Sequence, residues 1–239
     1  MKRSLKQVKA LTFDVFGTVV DWRGSIIREA AALAAKKKLP LDPAAFADAW
    51  RAGYQPAMHR VRTGELPWTP IDELHRMILD SIIPQFGLEG LTEAERVQLN
   101  FVWHRLKPWP DAVRGLRRLK KRLILCTLSN GNVALLTNMA KAGGLPWDCI
   151  LSAEIFHHYK PDPESYLGAA KILGLAPNEV MMVAAHKNDL DAAAECGLAT
   201  GFVTRPKEFG PANKPDLRFE KRFSVNAADF MDLADQLGL

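Results

Sequence analysis

The chain opens with a hydrophobic run that ends at an acidic residue. Residues 8–13 are largely apolar, and Asp14 then leads into Val-Phe-Gly-Thr. An aliphatic run of this length that ends in turn residues is typical of a strand buried on both faces. Because ligands of open α/β sheets lie at the carboxyl ends of the strands, the pattern places Asp14 where a site can form.

After a turn, helical patterns alone follow as far as about residue 108. Residues 20–24 favour a turn, and an alanine-rich helix is expected over 25–38. Asp42 and Pro43 provide an N-cap and a proline at the first helical position of a second helix, whose apolar face continues to Val61. A third helix is predicted over residues 71–83, and a fourth begins with a Thr-x-x-Glu capping box at residue 92 and runs to about residue 106.

From residue 108 onward, strand and helix patterns alternate. The expected strands cover residues 123–128, 149–153, 180–184 and 201–204, and the expected helices cover residues 111–121, 132–142 (closed by Gly143), 162–174, 188–196 and 227–237. Alternation with short connections predicts a parallel sheet covered on both faces. The helical stretch directly after the first strand therefore predicts an inserted cap domain, with Pro-Trp-Pro at residues 108–110 as its return hinge.

The composition suits a globular protein with an ordinary surface. At 239 residues the chain has room for one large domain or for a core with a smaller inserted domain. Apolar residues make up 48%, and no apolar stretch is long enough to cross a bilayer. The basic start of the chain lacks a small-residue cleavage site, which favours a first strand over a signal peptide.

The charge and the cysteine content limit the partners and the cellular compartment that we expect. The net charge is +5, but the basic residues are scattered or lie at predicted helix ends, where cations favour the helix dipole. This pattern argues against nucleic-acid binding. It is compatible with modest electrostatic steering of a small anion towards the protein. Cys126, Cys149 and Cys196 are widely spaced in apolar surroundings, which predicts reduced, buried thiols in a cytoplasmic protein.

The residues after the first strand are the first candidates for chemistry. Gly17 allows a tight turn close to the carboxylate of Asp14, and the hydroxyl of Thr18 could orient that carboxylate. The alternative is an aspartate that only caps a turn. This stretch alone leaves both interpretations open.

Further candidates follow later strands. Ser129 and Asn130 end the second strand and open a helix N-terminus, which suits either an anion or a simple N-cap. Lys160 precedes a helix, and Asp162 is expected to cap that helix. The ammonium group of Lys160 would lie beside Asp14 and keep its carboxylate ionised, although an isolated loop lysine is usually only solvated.

Three of these stretches resemble motifs of one family. Phe-Asp-x-x-Gly-Thr at residues 13–18 resembles the first motif of the haloacid dehalogenase superfamily, whose aspartate is a covalent nucleophile. Most members are phosphatases with a second aspartate, the general acid, where this chain has Phe16. Residues 128–131 resemble the second motif, and residues 160–166 resemble the third, whose tyrosine, Tyr166 here, is found in the dehalogenase branch.

Residues 182–193 resemble the fourth motif, which in the phosphatases contains a magnesium ligand. The first aspartate of the phosphatase pattern, a magnesium ligand, is Ala185 here, whereas the second is kept as Asp189. A hard dication needs several oxygen ligands, and carboxylates are missing at both Phe16 and Ala185. The resemblance therefore implies a site without metal or other cofactor and argues against phosphoryl transfer. The Ala-Ala-His sequence in this motif resembles a branch in which some members accept haloacetates, including fluoroacetate.

The resemblance also implies roles for the catalytic side chains. Asp14 would displace halide and form an ester, which water positioned by Asp189 and Lys160 would hydrolyse. Ser129 would help to bind the substrate carboxylate, and Asn130 would lie near the departing halide.

Two further roles stay open. His186 would contact the halide or the hydrolytic water, or it is a buried structural histidine. Arg51, which follows a tryptophan on the second cap helix, would hold the carboxylate or draw off the halide. A solvated helix arginine is the alternative for Arg51, and Arg23 is a second candidate cation.

Together these patterns predict an α/β protein with a Rossmann-like parallel-sheet core (residues 1–22 and 108–239) and a helical cap (residues 23–107). The expected activity is metal-independent hydrolytic dehalogenation of short, anionic 2-haloacids. A magnesium-dependent phosphatase of the same superfamily and a non-catalytic binder of small carboxylates are the alternatives. The resemblance allows a homodimer, and neither nucleic acid nor a membrane is an expected partner.

Overall fold

The structure, a computed structural model, describes residues 5–211 and 213–239. The strands are β1 (Ala10–Phe13), β2 (Val20–Asp21), β3 (Lys107–Pro108), β4 (Ile124–Ser129), β5 (Cys149–Ser152), β6 (Val180–Ala184), β7 (Ala199–Val203) and β8 (Val225–Ala227). The α-helices are α1 (Trp22–Lys37), α2 (Pro43–Ala52), α3 (Tyr54–Arg62), α4 (Ile71–Ile82), α5 (Glu93–Asn100), α6 (Ala112–Leu119), α7 (Val133–Gly143), α8 (Ala153–Phe156), α9 (Pro163–Ile172), α10 (Lys187–Glu195) and α11 (Phe230–Gln236). Short 3₁₀ helices cover Leu5–Gln7, Pro84–Phe86, Phe101–Arg105 and Pro177–Glu179.

The main sheet is parallel and has β1 near its middle. Its strand order is β5-β4-β1-β6-β7-β8, and each neighbouring pair is parallel. All four residues of β1 are buried, as the apolar run predicted. The expected α/β fold with a Rossmann-like parallel sheet is confirmed.

The register of the central strands determines where the site forms. Phe13, the last residue of β1, lies opposite Thr127 in β4 and Val183 in β6. The carboxyl ends of these three strands therefore meet at one edge of the sheet. Side chains that directly follow them are brought together although they are far apart in sequence.

The helices from α1 to α5 are inserted through a short two-stranded stem. Strands β2 and β3 pair antiparallel, with Val20 opposite Pro108 and Asp21 opposite Lys107. The expected turn at residues 20–24 is wrong, because Asp21 accepts a hydrogen bond from the Gly24 N–H and caps a helix that begins at Trp22. The expected hinge at Pro108 is part of the stem itself.

The predicted second helix of the inserted segment is two helices. The Asp42 cap is confirmed, since its side chain accepts hydrogen bonds from two backbone N–H groups of α2. The chain breaks at Gly53, where a Cβ atom would lie 2.5 Å from Cγ2 of Ile78. Gly53, which lies between α2 and α3, thus leaves room for the close approach of α4. The capping box at Thr92 is also confirmed, but α5 ends at Asn100 and continues as a 3₁₀ helix.

Two boundaries in the second half of the chain also differ from expectation. Gly143 lies inside α7, and Gly144, with φ of +64°, is the left-handed residue that ends this helix. Ala227 belongs to β8 rather than to the last helix, which begins at Phe230 after the Asp229 cap. The edge strand β8 is too short for its apolar pattern to have been recognised.

One hydrophobic cluster joins the sheet to the inserted helices. It includes Phe13 from β1 together with Phe46 and Trp50 from α2, all fully buried. The cysteines are unpaired, but only Cys126 is buried, so the expectation of three buried thiols is partly wrong. Within the described ranges, no helix combines the length and the hydropathy required to cross a membrane.

Candidate active site

The nucleophile candidate lies directly after the central strand. The backbone N–H of Asp14 donates to the carbonyl of Val183, which extends the β1–β6 pairing by one residue. The hydroxyl of Thr18 donates to Oδ2 of Asp14 over 2.6 Å and accepts a hydrogen bond from the Ala185 N–H. The turn between them requires Gly17, whose φ is +84°. The predicted role of Thr18 in orienting Asp14 therefore agrees with this geometry.

A buried lysine joins two carboxylates at the sheet edge. Nζ of Lys160 lies 3.1 Å from Oδ1 of Asp14 and 2.5 Å from Oδ2 of Asp189. The hydroxyl of Tyr166 donates to the other oxygen of Asp189 over 2.5 Å. All four side chains are nearly inaccessible to solvent. Four residues that the motifs singled out thus form one hydrogen-bonded group.

Burial and the charges within this group shift the pKa values of its side chains. Burial would raise the pKa of Asp14, but the Lys160 ammonium and then His186 outweigh it and hold that pKa well below its usual range. Burial would lower the pKa of Lys160, but the two aspartates raise it to about 12. Burial raises the pKa of Asp189 despite the nearby ammonium. Asp14 is therefore the carboxylate that remains ionised most readily, as a nucleophile requires.

His186 does not stand alone but lies between two carboxylates. Its Nδ1 is 3.0 Å from Oδ2 of Asp14, and its Nε2 is 2.9 Å from Oε1 of Glu208. Burial would lower the pKa of His186, but Glu208 and Asp14 raise it to about 10. Sequence reasoning missed Glu208, because it lies in a loop outside every motif.

Asn130 supports the lysine backbone and also reaches the inserted helices. Its Oδ1 accepts a hydrogen bond from the Lys160 N–H over 2.8 Å, and its Nδ2 lies 3.3 Å from Sδ of Met58. Ser129 is buried and does not line the cavity, and its hydroxyl accepts a hydrogen bond from the Gly131 N–H. Direct binding of the substrate carboxylate by Ser129 therefore stays a prediction without support from this arrangement.

Arg51 is the inserted segment's cation at the site. Its guanidinium carbon lies 4.1 Å from the ring centre of Tyr54 and 5.4 Å from that of Trp22. Nη1 is buried and has no hydrogen-bond partner within the described residues. Arg23, the second candidate, forms a bidentate ion pair with Asp48 and lies outside the cavity lining. The geometry therefore favours Arg51 over Arg23.

Aromatic rings form the apolar wall behind these charges. The Phe16 ring packs edge-on against Tyr54, His75 and Trp103. Burial holds the pKa of His75 well below its usual range, and neither of its ring nitrogens has a hydrogen-bond partner in the described part of the chain. Sequence reasoning missed His75, because a lone histidine on a helix carries no motif.

These groups surround a cavity of about 370 Å³. Its lining comprises Asp14, Phe16, Arg51, Ala52, Tyr54, Gln55, Asn130, Lys160, Pro161, Tyr166, His186, Asn188, Asp189 and Phe209. The wall combines residues that follow the central strands with residues of α2 and α3. The cavity therefore combines charged side chains with an apolar, aromatic wall.

Asp162 departs from its predicted role at the edge of the site. It occupies the N-cap position of α9, but its side chain makes no capping hydrogen bond. Its carboxylate accepts instead from Nε and Nη2 of Arg62 at the end of α3. This ion pair links the loop that carries Lys160 to the inserted helices.

Comparison with known proteins identifies the family and agrees with the fold. A model of the haloacid dehalogenase-like hydrolase family matches residues 8–197, and the chain belongs to this family. The (S)-2-haloacid dehalogenase 4A of Burkholderia cepacia is 30% identical over 215 residues, which are 89% of this chain and 87% of that protein. A crystal structure described as a defluorinating L-2-haloacid dehalogenase is 46% identical, with a TM-score of 0.94 over 97% of this chain and 96% of that one. Another L-2-haloacid dehalogenase structure is 47% identical, with a TM-score of 0.93 over 97% and 99% of the two chains.

Replacing Lys160 with methionine tests the electrostatic role of the ammonium. We expect Lys160→Met to lower the free energy of unfolding at pH 7 by about 3–5 kcal/mol, since the buried carboxylate of Asp189 then lacks a counter-charge and that of Asp14 keeps only His186. Without the ammonium, a carboxyl of the pair binds a proton more tightly when folded than when unfolded, so stability rises as the pH falls. Urea unfolding at pH 7 and pH 5 should show the deficit relative to the unsubstituted protein narrowing at pH 5.

The matched control is Lys171→Met, which removes an exposed lysine of α9 and should change stability little at either pH. A Lys160→Met deficit that widens at pH 5 would contradict this account of the charges.

Proposed function

We propose that this protein hydrolyses the carbon–halogen bond of short 2-haloacids through an ester formed on Asp14. The observation that carries the proposal is the ionised, oriented carboxylate of Asp14 at a small cavity that also holds the cation Arg51. The family membership and the dehalogenase relatives support the same reaction class.

The first step is an in-line displacement at carbon. An oxygen of Asp14 attacks C2, the bond from C2 to the halogen breaks, and the halide leaves with the bonding electron pair. Because the carbon is inverted once, an (S)-2-haloacid gives an (R)-2-hydroxyacid, and a haloacetate gives glycolate. Arg51 holds the substrate carboxylate or the departing halide, since its buried Nη1 has a free donor.

The second step is hydrolysis of the ester at the carboxyl carbon of Asp14. Asp189 lies across Lys160 from Asp14 and positions the attacking water as a base. Burial raises the pKa of Asp189, so that its carboxylate binds a proton more readily than an exposed aspartate does. Tyr166 fixes the orientation of Asp189 through its hydroxyl.

The donor set at this edge does not fit a magnesium ion. The two positions where superfamily phosphatases carry additional aspartates are Phe16 and Ala185 here, and the ammonium of Lys160 lies between Asp14 and Asp189. No group of three histidine, cysteine or acidic side chains within the described ranges could hold a metal. The reaction is therefore proposed to need no metal, because cations of the chain itself stabilise the leaving halide.

The helices of residues 23–107 would act as a cap over a core of residues 1–22 and 108–239. Arg51 and Tyr54 of this segment line the cavity, and Arg62 pairs with Asp162 of the core. A cytoplasmic location and a homodimer stay predictions.

Halide release tests the reaction class directly. We expect release from chloroacetate, fluoroacetate or (S)-2-chloropropionate with EDTA present, and (R)-lactate as the product from the last substrate. Asp14→Asn should show no steady turnover, since an amide is a poor nucleophile. Ion chromatography of the halide and chiral analysis of the lactate provide the measurement.

Loss of halide release in EDTA would contradict the metal-free account. Magnesium-dependent release of phosphate from an aryl phosphate, without halide release, would favour the phosphatase alternative. Stabilisation by small carboxylates without any product would favour the non-catalytic binder.

Arg51→Met tests the cation of the pocket. We expect kcat/KM for haloacetate to fall about 10- to 100-fold, since a hydrogen bond to a charged group contributes roughly 1.5–3 kcal/mol. Arg23→Met is the matched control and should keep its activity, because Arg23 is paired with Asp48 outside the cavity. Equal losses in both variants, measured by steady-state halide release, would contradict the assignment of Arg51.

A further inference from the structure

Glu208 is built into the wall of the site without being exposed to it. Only 1% of the residue is accessible to solvent, and Oε1 accepts a hydrogen bond from Nε1 of Trp22 over 3.3 Å. The same oxygen lies where a Cβ atom on Gly17 would be only 2.0 Å away. The turn after Asp14 thus leaves room for this carboxylate, which contacts Nε2 of His186.

The two carboxylates determine the protonation state of His186, which lies between them. An ionised carboxylate can only accept hydrogen bonds, whereas a neutral imidazole has one donor nitrogen and one acceptor nitrogen. Both ring nitrogens of His186 face carboxylate oxygens, at 3.0 Å to Asp14 and 2.9 Å to Glu208. With both carboxylates ionised, only the imidazolium donates to both, so this arrangement favours a doubly protonated ring.

The two oxygens of Asp14 then have different surroundings. Oδ2 receives hydrogen bonds from the hydroxyl of Thr18 and from Nδ1 of His186. Oδ1 receives one from Nζ of Lys160. The oxygen with fewer donors is the better nucleophile, and the oxygen with two donors is already solvated as an oxyanion would be.

We propose that Glu208 is a positioning residue that holds His186 as an imidazolium, and that His186 and Thr18 form an oxyanion hole for the ester on Asp14. This inference rests on the proposed function. In this mechanism Oδ1 of Asp14 attacks the substrate carbon, and Oδ2 of Asp14 becomes the carbonyl oxygen of the ester.

The oxyanion hole acts in the second step of the reaction. Water adds to the carboxyl carbon of Asp14 and gives its proton to Asp189, and the carbonyl electron pair moves onto Oδ2. When the electron pair on Oδ2 re-forms the carbonyl bond, the bond between the carboxyl carbon and Oδ1 breaks. The hydroxyacid leaves with Oδ1 and takes up the proton held by Asp189. The Asp14 carboxyl now holds an oxygen from water, and it loses the second proton of that water to solvent to become the carboxylate again.

The charged groups around His186 set its pH dependence. Asp14 and Glu208 contact the ring, and Lys160 and Arg51 are the other charged residues of the cavity apart from Asp189. The pKa of His186 is raised to about 10 by the carboxylates, against the effect of burial. The imidazolium is therefore present through neutral pH and is lost as the pH rises through about 10.

Glu208→Gln preserves the shape of the side chain and removes its charge. We expect kcat to fall on the order of 10²-fold, as for the loss of one oxyanion-hole donor. Because ester hydrolysis is the slowed step, one equivalent of halide should still be released rapidly, and intact-protein mass spectrometry should show ester accumulating during turnover. The alkaline limit of kcat should move to lower pH by about one unit or more, since a carboxylate no longer raises the pKa of His186.

Glu220→Gln is the matched control, because Glu220 pairs with Lys187 and does not line the cavity. It should leave kcat and the pH profile unchanged. Glu208→Gln with unchanged kcat and pH profile, or with halide release and turnover slowed equally and no ester accumulation, would overturn the proposal.

A second measurement does not depend on dehalogenation. Nuclear magnetic resonance of ¹⁵N-labelled histidine, with the signal assigned by His186→Gln, should show His186 as an imidazolium at pH 8, and a lower pKa in Glu208→Gln. A neutral His186 at pH 8 in the unsubstituted protein would overturn the proposal even if the variant fails to fold. The two proposals can fail separately. If His186 is an imidazolium that depends on Glu208 but the protein releases no halide, the proposed function is refuted, whereas the role of Glu208 in keeping His186 protonated still holds.

Discussion

The site depends on one buried ammonium that contacts two carboxylates. Asp14 and Asp189 are both nearly inaccessible, and two buried negative charges so close together would repel each other without a cation between them. Lys160 supplies that cation and keeps Asp14 ionised, so that a carboxylate can act as a nucleophile. The two acids differ in their surroundings: burial raises the pKa of Asp189 although Lys160 lowers it, whereas Lys160 and His186 together lower the pKa of Asp14. The proposed nucleophile and the proposed base are thus one side-chain type in two environments.

The fold supplies this arrangement by bringing strand ends together. Strands β1, β4 and β6 end at one edge of the sheet, and Lys160 reaches the same edge from the loop before α9. The inserted helices add Arg51 and the aromatic wall, and the Arg62–Asp162 pair connects them to the lysine loop. Binding of a small anion and positioning of the lysine are therefore expected to be coupled through the inserted segment.

The sequence predicted those parts of the site that follow directly from strand ends and motifs. Asp14 could be placed because an apolar strand stops there, and the parallel sheet followed from alternation. Glu208 could not be placed, because its contact with the site arises from a loop that returns over the sheet edge after β7. The break at Gly53 was also missed, and the close approach of α4 to this glycine is a tertiary contact that the sequence pattern does not show. The choice between Arg51 and Arg23 required the ion pair of Arg23 with Asp48.

The central claim is that Asp14 carries the substrate as an ester. The most direct measurement is a single turnover in H₂¹⁸O with enzyme in excess over (S)-2-chloropropionate, followed by mass analysis of the lactate and of the peptide that contains Asp14. The account predicts lactate that carries the original oxygen of Asp14, and ¹⁸O in the Asp14 carboxylate. Lactate that carries ¹⁸O from the first turnover, with an unlabelled peptide, would show direct attack of water on the substrate and contradict the account.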